Sequence, residues 1–188
     1  MKTLFKSSLI ATLAIITATI SGFNEPSNAQ NTKYFCAQLW GEWKTFMRTN
    51  RGNIPLITWD RAYGNYWTPR RRCIEVSRRF ERQHDNGSLN HISTGVVNNQ
   101  SVLCGVRSRG NSCRSFNVLV TLPPNTTPSQ RYQYARRLLN TRSLASGNTI
   151  RLNETPLETF INGENYYDIS VIEEIGQPIT ENLTPIEE

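Results

Sequence analysis

The order of patterns along the 188-residue chain predicts an α+β fold, a mainly antiparallel sheet of about six short strands with two helices packed on one face. Alternating apolar and polar residues indicate strands, and two segments with apolar residues at helical spacing indicate helices. These patterns follow one another as β-β-β-α-β-β-β-α. Four cysteines in so small a chain add disulfide stabilisation to the expectation.

Three strands are predicted before the first helix. The aromatic and apolar residues 34–43, continued by alternation over 44–49, indicate two short strands around a turn. Residues 50–53 (NRGN) form a turn signal, and 54–59 (IPLITW) is the third strand. Pro55 favours an edge position or the start of that strand.

The first helix is predicted from its cap and its periodicity. Thr68 is an N-cap followed by proline at the first helical position, and Cys73, Val76 and Phe80 share one apolar face. The sequence Asn86-Gly87 ends the helix. Its other positions hold six arginines, Arg70, Arg71, Arg72, Arg78, Arg79 and Arg82.

Three further strands and a second helix complete the predicted domain. The strands are 89–97, 101–106 and 114–122, and the proline-rich stretch 123–128 breaks the chain after them. The second helix is predicted over 129–141.

The N-terminus has the pattern of a secretory signal peptide. Lys2 and Lys6 precede an apolar run over 9–20, and small residues at Ser27 and Ala29 favour cleavage after Ala29. The alternatives are an uncleaved anchor and a lipoprotein, but no cysteine directly follows the apolar run. Export to the periplasm, the thylakoid lumen or a peripheral membrane location is therefore expected. The predicted organisation is a signal peptide over 1–29, a basic domain over 30–151 and an acidic, partly disordered tail over 152–188.

Export favours oxidised cysteines. Four cysteines allow three pairings. Cys104 and Cys113 lie at the inner ends of two strand-like runs, so a hairpin would bring them together, and Cys36 and Cys73 would pair by elimination. The rival interpretation is a four-cysteine zinc site, which favours closely spaced pairs such as C-x-x-C, and none occurs. We therefore expect no metal and no cofactor.

Charge divides the predicted mature chain. Residues 30–151 hold 19 basic and 5 acidic residues, a net charge of +14, whereas 152–188 hold nine acids and no Lys or Arg. The tail either masks the basic domain or competes for a basic face that binds an anionic partner. Export makes nucleic acid a poor candidate, and an anionic membrane surface or an acidic envelope polymer fits better. Within the tail, 166–175 is predicted as one more strand or a docking segment for a protein partner, and the last dozen residues as disordered.

An aromatic loop that leads into the basic helix is the candidate binding site. Aromatic rings stack on sugars and lie at lipid headgroup level, while guanidinium groups bind anions. The candidate anion- or membrane-binding residues are Trp59, Tyr66, Trp67, Arg70, Arg71, Arg72, Arg78, Arg79 and Arg82. The alternative is that Trp59 and Trp67 pack in the core or at the helix entry, and that the arginines only solvate the helix.

The sequence contains no strong catalytic motif. His84 and His91 lack metal-ligand spacing, and Glu75, Glu81 and Asp60 lie among so many arginines that salt bridges are expected rather than acid catalysis. We expect a protein that is not an enzyme. The alternative is an envelope hydrolase that uses a carboxylate pair.

Several stretches resemble the circadian oscillating protein family of cyanobacteria, over roughly residues 33–145. They are RTNRGNIPLITW at 48–59, TPRRRCIEVSRRF at 68–80, NGSL at 86–89, and Cys104 and Cys113 before LVTL. The resemblance implies an exported or membrane-peripheral protein and carries over no catalytic residue. The function predicted from all these features is peripheral association with an anionic membrane or envelope surface through the arginine-rich helix. The alternatives are the hydrolase and a protein-interaction module that uses the acidic tail.

Overall fold

A computed structural model describes residues 32–139 and 157–186. In these ranges the chain forms an α+β fold of antiparallel strands and three α-helices with two disulfides, which confirms the predicted fold class. The strands number eight rather than about six, and they form two sheets instead of one. The predicted signal peptide over 1–29 lies outside the described residues.

The first sheet has three strands in chain order, β1 (Tyr34–Leu39), β2 (Glu42–Thr49) and β3 (Gly52–Trp59). Trp40 and Gly41 connect β1 to β2 with φ angles of 51° and 82°. Two successive positive φ angles match the right-handed twist of a hairpin, and glycine adopts such angles without steric cost.

Helix α1 (Pro69–Asp85) begins at Thr68, whose side chain accepts a hydrogen bond from the backbone N–H of Arg71. Its apolar face carries Cys73, Val76 and Phe80 into the core, as the spacing predicts. The Cys36–Cys73 disulfide, with a Cα–Cα distance of 5.5 Å, joins the helix to β1. The favoured pairing of these cysteines is confirmed.

The second sheet has the order β6-β5-β4-β8-β7. Its strands are β4 (His91–Val97), β5 (Gln100–Val106), β6 (Val118–Thr121), β7 (Glu158–Ile161) and β8 (Glu164–Asp168). Helix α2 (Pro128–Leu138) follows β6, and helix α3 (Ile169–Ile175) follows β8. No helix in these parts of the chain is long and apolar enough to cross a membrane.

The strand predicted over 114–122 begins only at Val118. The backbone N–H of Arg114 donates to the side chain of Asn117 at 2.7 Å, and residues 115–117 form a 3₁₀ turn. Cys113 therefore lies in the connection between β5 and β6 rather than on a strand. It still pairs with Cys104, at a Cα–Cα distance of 5.6 Å, which confirms the second predicted disulfide.

Part of the acidic segment belongs to the second sheet. β8 pairs with both β4 and β7, so the predicted element over 166–175 is a strand that continues into a helix. Tyr167, Ile169 and Ile172 bury their side chains in the shared core, which explains why this segment folds despite its charge.

The described part of the C-terminal segment, up to Ile186, lies against the first sheet. Ile179 bridges to Asn53, and Ile186 donates its N–H to the carbonyl of Cys36 at 2.9 Å. Ile179 and Leu183 pack on the outer apolar face of that sheet, around Phe35 and Phe46. The burial of these apolar side chains favours this placement.

One apolar core unites the two sheets and the helices. It includes residues of β1 to β6 and β8, the inner faces of α1 and α2, and the start of α3. The candidate site lies at the first turn of α1, where the core meets the end of the three-stranded sheet.

Candidate anion-binding surface

All four tryptophans of the chain lie at one end of the three-stranded sheet. Trp40 occupies the turn between β1 and β2, and Trp43 pairs with Trp59, the last residue of β3. The loop 60–68 leads from there into α1 and carries Trp67. Strand register therefore gathers residues that are separated by up to 27 positions in the sequence.

Only some of these rings reach solvent. Trp59 is 2% exposed, and its indole N–H donates to the hydroxyl of Thr45 at 3.0 Å. In contrast, Tyr63 is 53% exposed, Tyr66 58% and Trp67 36%. The alternative of core packing thus describes Trp59, whereas Tyr66 and Trp67 are accessible to a partner.

Guanidinium groups from the first turn of α1 stack on aromatic rings at this end of the sheet. The guanidinium of Arg71 lies 3.7 Å from the ring centroid of Tyr66, and that of Arg70 lies 5.9 Å from the ring of Trp43. The rings of Tyr66 and Trp67 meet edge to face at 5.2 Å. We call Tyr63, Tyr66, Trp67, Arg70 and Arg71 the aromatic–arginine surface.

Backbone hydrogen bonds hold the loop that carries these rings. The N–H of Tyr63 donates to the carbonyl of Trp67 at 2.9 Å, and the N–H of Thr68 donates to that of Tyr66 at 3.1 Å. Because Thr68 is also the helix cap, the aromatic loop and the first arginines of α1 share one local framework.

Arg72 lies beneath this surface. Its guanidinium covers the ring of Trp59 at 4.6 Å and donates to the carbonyl of Arg61 at 3.0 Å. Burial lowers the pKa of Arg72, and the nearby carboxylate of Asp60 acts in the opposite direction. Arginine stays protonated in proteins, so the group remains a cation.

The arginines in the second half of α1 lie in other surroundings. Arg79 forms an ion pair with Glu75 at 2.9 Å and donates to the carbonyl of Leu119 in β6 at 3.4 Å. Arg78 and Arg82 are both exposed. Four of the nine candidate residues belong to the aromatic–arginine surface, namely Tyr66, Trp67, Arg70 and Arg71. The other five are the buried Trp59, its neighbour Arg72 and the three later arginines.

The carboxylates considered for acid catalysis have structural partners. Glu75 pairs with Arg79, and Asp60 lies 3.8 Å from Arg61. The two oxygens of Glu81 accept the backbone N–H groups of Lys33 and Tyr34 at 3.0 and 2.7 Å. Among residues 32–139 and 157–186, no group of three or more His, Cys, Asp or Glu side chains is placed to hold a metal ion.

Tyr63 and the opposite wall of a cleft beside α1 are functional candidates that the sequence analysis missed. The cleft has a volume of about 330 Å³, and its far wall includes Gln100, Pro123 and Pro124. Tyr63 lies in the aromatic loop, so the aromatic composition of that loop could have indicated it as a candidate. The other wall comes from strands that meet α1 only in the folded chain, and no local pattern marks it.

Comparison with known proteins gives one family. The family model for circadian oscillating protein COP23 matches residues 33–171, which is more than half of the chain and reaches from β1 into α3. No curated protein and no solved structure matches the chain. The family match extends further than the resemblance over 33–145 and takes in β8, the strand that completes the second sheet. The chain belongs to the circadian oscillating protein COP23 family.

Proposed function

We propose that this protein is an exported, non-enzymatic domain that attaches peripherally to an anionic membrane surface through its aromatic–arginine surface. One observation carries the proposal. Tyr63, Tyr66 and Trp67 are each at least one-third exposed, and the guanidinium of Arg71 stacks on the ring of Tyr66 at 3.7 Å.

This combination suits the boundary between water and lipid. Tyrosine and tryptophan rings prefer the headgroup level, where the apolar ring and the polar edge are both accommodated. A guanidinium binds phosphate oxygens through two parallel hydrogen bonds. The stacking of Arg71 on Tyr66 holds the cation beside the ring before binding, which lowers the ordering cost of the contact.

The acidic segment neutralises basic residues elsewhere in the fold. Three of its acids form ion pairs with residues outside α1, Glu164 with Arg131 at 2.8 Å, Asp168 with Arg109 at 3.2 Å and Glu173 with Lys33 at 2.6 Å. These pairs support a masking role for the segment and argue against its use as a docking site for a protein partner.

Two further features agree with the proposal. The two disulfides are compatible with an exported protein in an oxidising compartment, the periplasm or the thylakoid lumen. The carboxylates that a hydrolase would need are engaged with arginines or with backbone N–H groups. An acidic envelope polymer remains an alternative partner for the same surface.

Co-sedimentation with vesicles tests the proposal. The oxidised mature chain (30–188) is mixed with phosphatidylglycerol-containing vesicles and with neutral phosphatidylcholine vesicles over a salt series. We expect binding to the anionic vesicles only, and its loss at high salt, because the Debye length shrinks to about 3 Å at 1 M salt.

Arg71→Gln and Arg137→Gln form a matched pair of variants. Both arginines belong to helices and lie over tyrosine rings, Arg71 over Tyr66 at 3.7 Å and Arg137 over Tyr134 at 5.1 Å. Arg71→Gln is expected to weaken vesicle binding about fivefold, since a basic residue near an anionic surface contributes about 1 kcal/mol. Equal loss in both variants would show that net charge, not this surface, drives the binding.

A further inference from the structure

A second binding feature runs along the side of α1 that faces β6. The cleft of about 330 Å³ adjoins a second cavity of about 520 Å³, and the two share four lining residues, Glu75, Arg79, Gln100 and Thr121. We call the two adjoining cavities together the α1–β6 groove. Its lining includes Arg72 at one end and Arg82 at the other.

The lining of the groove carries a net positive charge. Arg72, Arg79 and Arg82 line it, and Glu75 is the one acid in the lining. Glu75 pairs with Arg79, so the net charge lies at Arg72 and Arg82, one at each end of the groove. These two arginines are ten positions apart, which corresponds to about 15 Å of helix. Cations at this spacing match a linear ligand with more than one negative charge rather than a single anion.

The end of the groove nearest the aromatic loop has the composition of a sugar site. Tyr63 and Trp67 form one side, and Pro123 and Pro124 form part of the lining with them. Aromatic faces pack against the apolar face of a pyranose ring. Further along, Asn98, Gln100 and Ser115 provide polar groups suited to hydroxyls.

The groove is poorly suited to an extended peptide. A peptide strand would add to the open edge of β6, since β6 is the outermost strand of its sheet. The side chain of Arg79 donates to the carbonyl of Leu119 in that strand at 3.4 Å. An added strand would have to be accommodated beside this side chain.

We propose that the α1–β6 groove binds an acidic oligosaccharide. A sugar ring packs against Tyr63 and Trp67, and a carboxylate further along the chain binds Arg82. This site overlaps the surface proposed for membrane attachment at Tyr63 and Trp67, but Arg70, Arg71 and Tyr66 do not line the groove. The two proposals therefore depend on different arginines.

Isothermal titration of the oxidised mature chain with tetragalacturonic acid tests the proposal. Maltotetraose serves as the neutral probe of equal length. We expect binding of the acidic tetramer and at least tenfold weaker binding of the neutral one. No vesicles are present, so the result is independent of membrane attachment.

Two arginines of α1 provide matched variants. Arg82→Gln removes an exposed cation from the groove, and Arg78→Gln removes an exposed cation from the same helix that lines neither cavity. Arg82→Gln is expected to weaken binding of the acidic tetramer about fivefold, and Arg78→Gln less than twofold. Thermal melting of both variants checks that the fold is unchanged.

Three results would overturn the proposal. They are no measurable binding of the acidic tetramer at low salt, equal weakening by the two variants, and equal affinity for the acidic and neutral tetramers. Loss of vesicle binding in Arg71→Gln with retained tetramer binding would support both proposals as separate sites.

Discussion

Single side chains connect the surface of this protein to its core. The guanidinium of Arg72 covers the ring of Trp59, which is itself buried and hydrogen-bonded to Thr45. Arg71, one residue earlier, stacks instead on the exposed ring of Tyr66. Neighbouring arginines of the same helix therefore have different roles: Arg72 packs on a core side chain, whereas Arg71 packs on a surface one.

Gly95 in β4 lies against the Cys104–Cys113 disulfide. A Cβ atom at this position would lie 2.7 Å from the sulfur of Cys113 and 2.8 Å from its Cβ. Gly95→Ala is expected to lower the free energy of unfolding by about 1–3 kcal/mol, because the disulfide holds Cys113 in place against β4. Urea denaturation measures the change. The control is Val96→Thr at the exposed neighbouring position, where the expected change in the free energy of unfolding is within about 0.5 kcal/mol. An unchanged urea midpoint in Gly95→Ala would contradict the close packing of Gly95 against Cys113.

Asp168 links β8, α3 and two basic side chains. Burial alone would raise its pKa, but hydrogen bonds from Ser170, the nearby His91 and the backbone N–H groups of Ser170 and Val171 hold the pKa below its usual value. Its carboxylate also lies 3.2 Å from Arg109. A lowered carboxyl pKa adds stability above the unfolded-state pKa, and this stability is lost as the pH falls through the folded-state value.

Asp168→Asn is therefore expected to destabilise the protein by about 1–2 kcal/mol at neutral pH and by less at an acid pH below the folded-state pKa, where the wild-type carboxyl is protonated too. Chemical denaturation at the two pH values measures the difference. Asp85→Asn, at an exposed position in the last turn of α1, is the control. A penalty that is the same at both pH values would mean that the charge of Asp168 does not contribute.

At the scale of elements, α1 is attached to the three-stranded sheet at two points along its length. The Cys36–Cys73 disulfide joins its first half to β1, and Glu81 accepts the N–H groups of Lys33 and Tyr34 near its end. These attachments fix the rotation of the helix and hence the direction in which its arginines point.

Removal of each disulfide is expected to cost different amounts. The Cys36–Cys73 bond closes a sequence separation of 37 residues and the Cys104–Cys113 bond one of 9. In the chain-entropy model these loops correspond to about 4 and about 3 kcal/mol of stabilisation. Double alanine variants of each pair, compared by urea denaturation, measure the two costs. A larger cost for the shorter loop would indicate that native packing outweighs chain entropy here.

At the scale of the whole molecule, the acidic segment is part of the domain. β8 lies between β4 and β7 in the second sheet. The two strands at that edge of the sheet, β8 and β7, therefore both come from the segment that follows residues 140–156 in the chain. The segment contributes acids that pair with Arg131, Arg109 and Lys33. Charge separation along the sequence thus becomes charge pairing in the fold.

Truncation after Arg151 is expected to abolish cooperative folding. It removes five buried side chains, Tyr166, Tyr167, Ile169, Val171 and Ile172. At about 1.5–3 kcal/mol for each side chain, their burial is comparable to the whole stability of a typical domain, about 5–15 kcal/mol. Thermal melting followed by circular dichroism measures the effect.

Truncation after Gly176 is the control, since it keeps β7, β8 and α3 and removes only the segment that covers Phe35 and Phe46. This shorter truncation is expected to melt cooperatively at a lower temperature. A cooperative transition in the chain that ends at Arg151 would show that β8 is dispensable.

Local signals in the sequence determined the elements that depend on near neighbours. Thr68-Pro69 and Asn86-Gly87 marked the ends of α1, because caps and turn residues act within a few positions. The two disulfide pairs followed from the predicted strands and from export. The family could be recognised from the motifs around residues 48–59 and 68–80.

Tertiary structure alone decided the rest, because it depends on contacts between residues that are far apart in the chain. β4 pairs with β5 and β8 rather than with β3, so the strands form two sheets. No local pattern specifies β8 as a partner of β4. The same applies to the division between the buried Trp59 and the exposed Tyr66, which alternation and composition leave open. The α1–β6 groove exists only because a helix and an edge strand meet, so its residues acquire a common role in the folded chain.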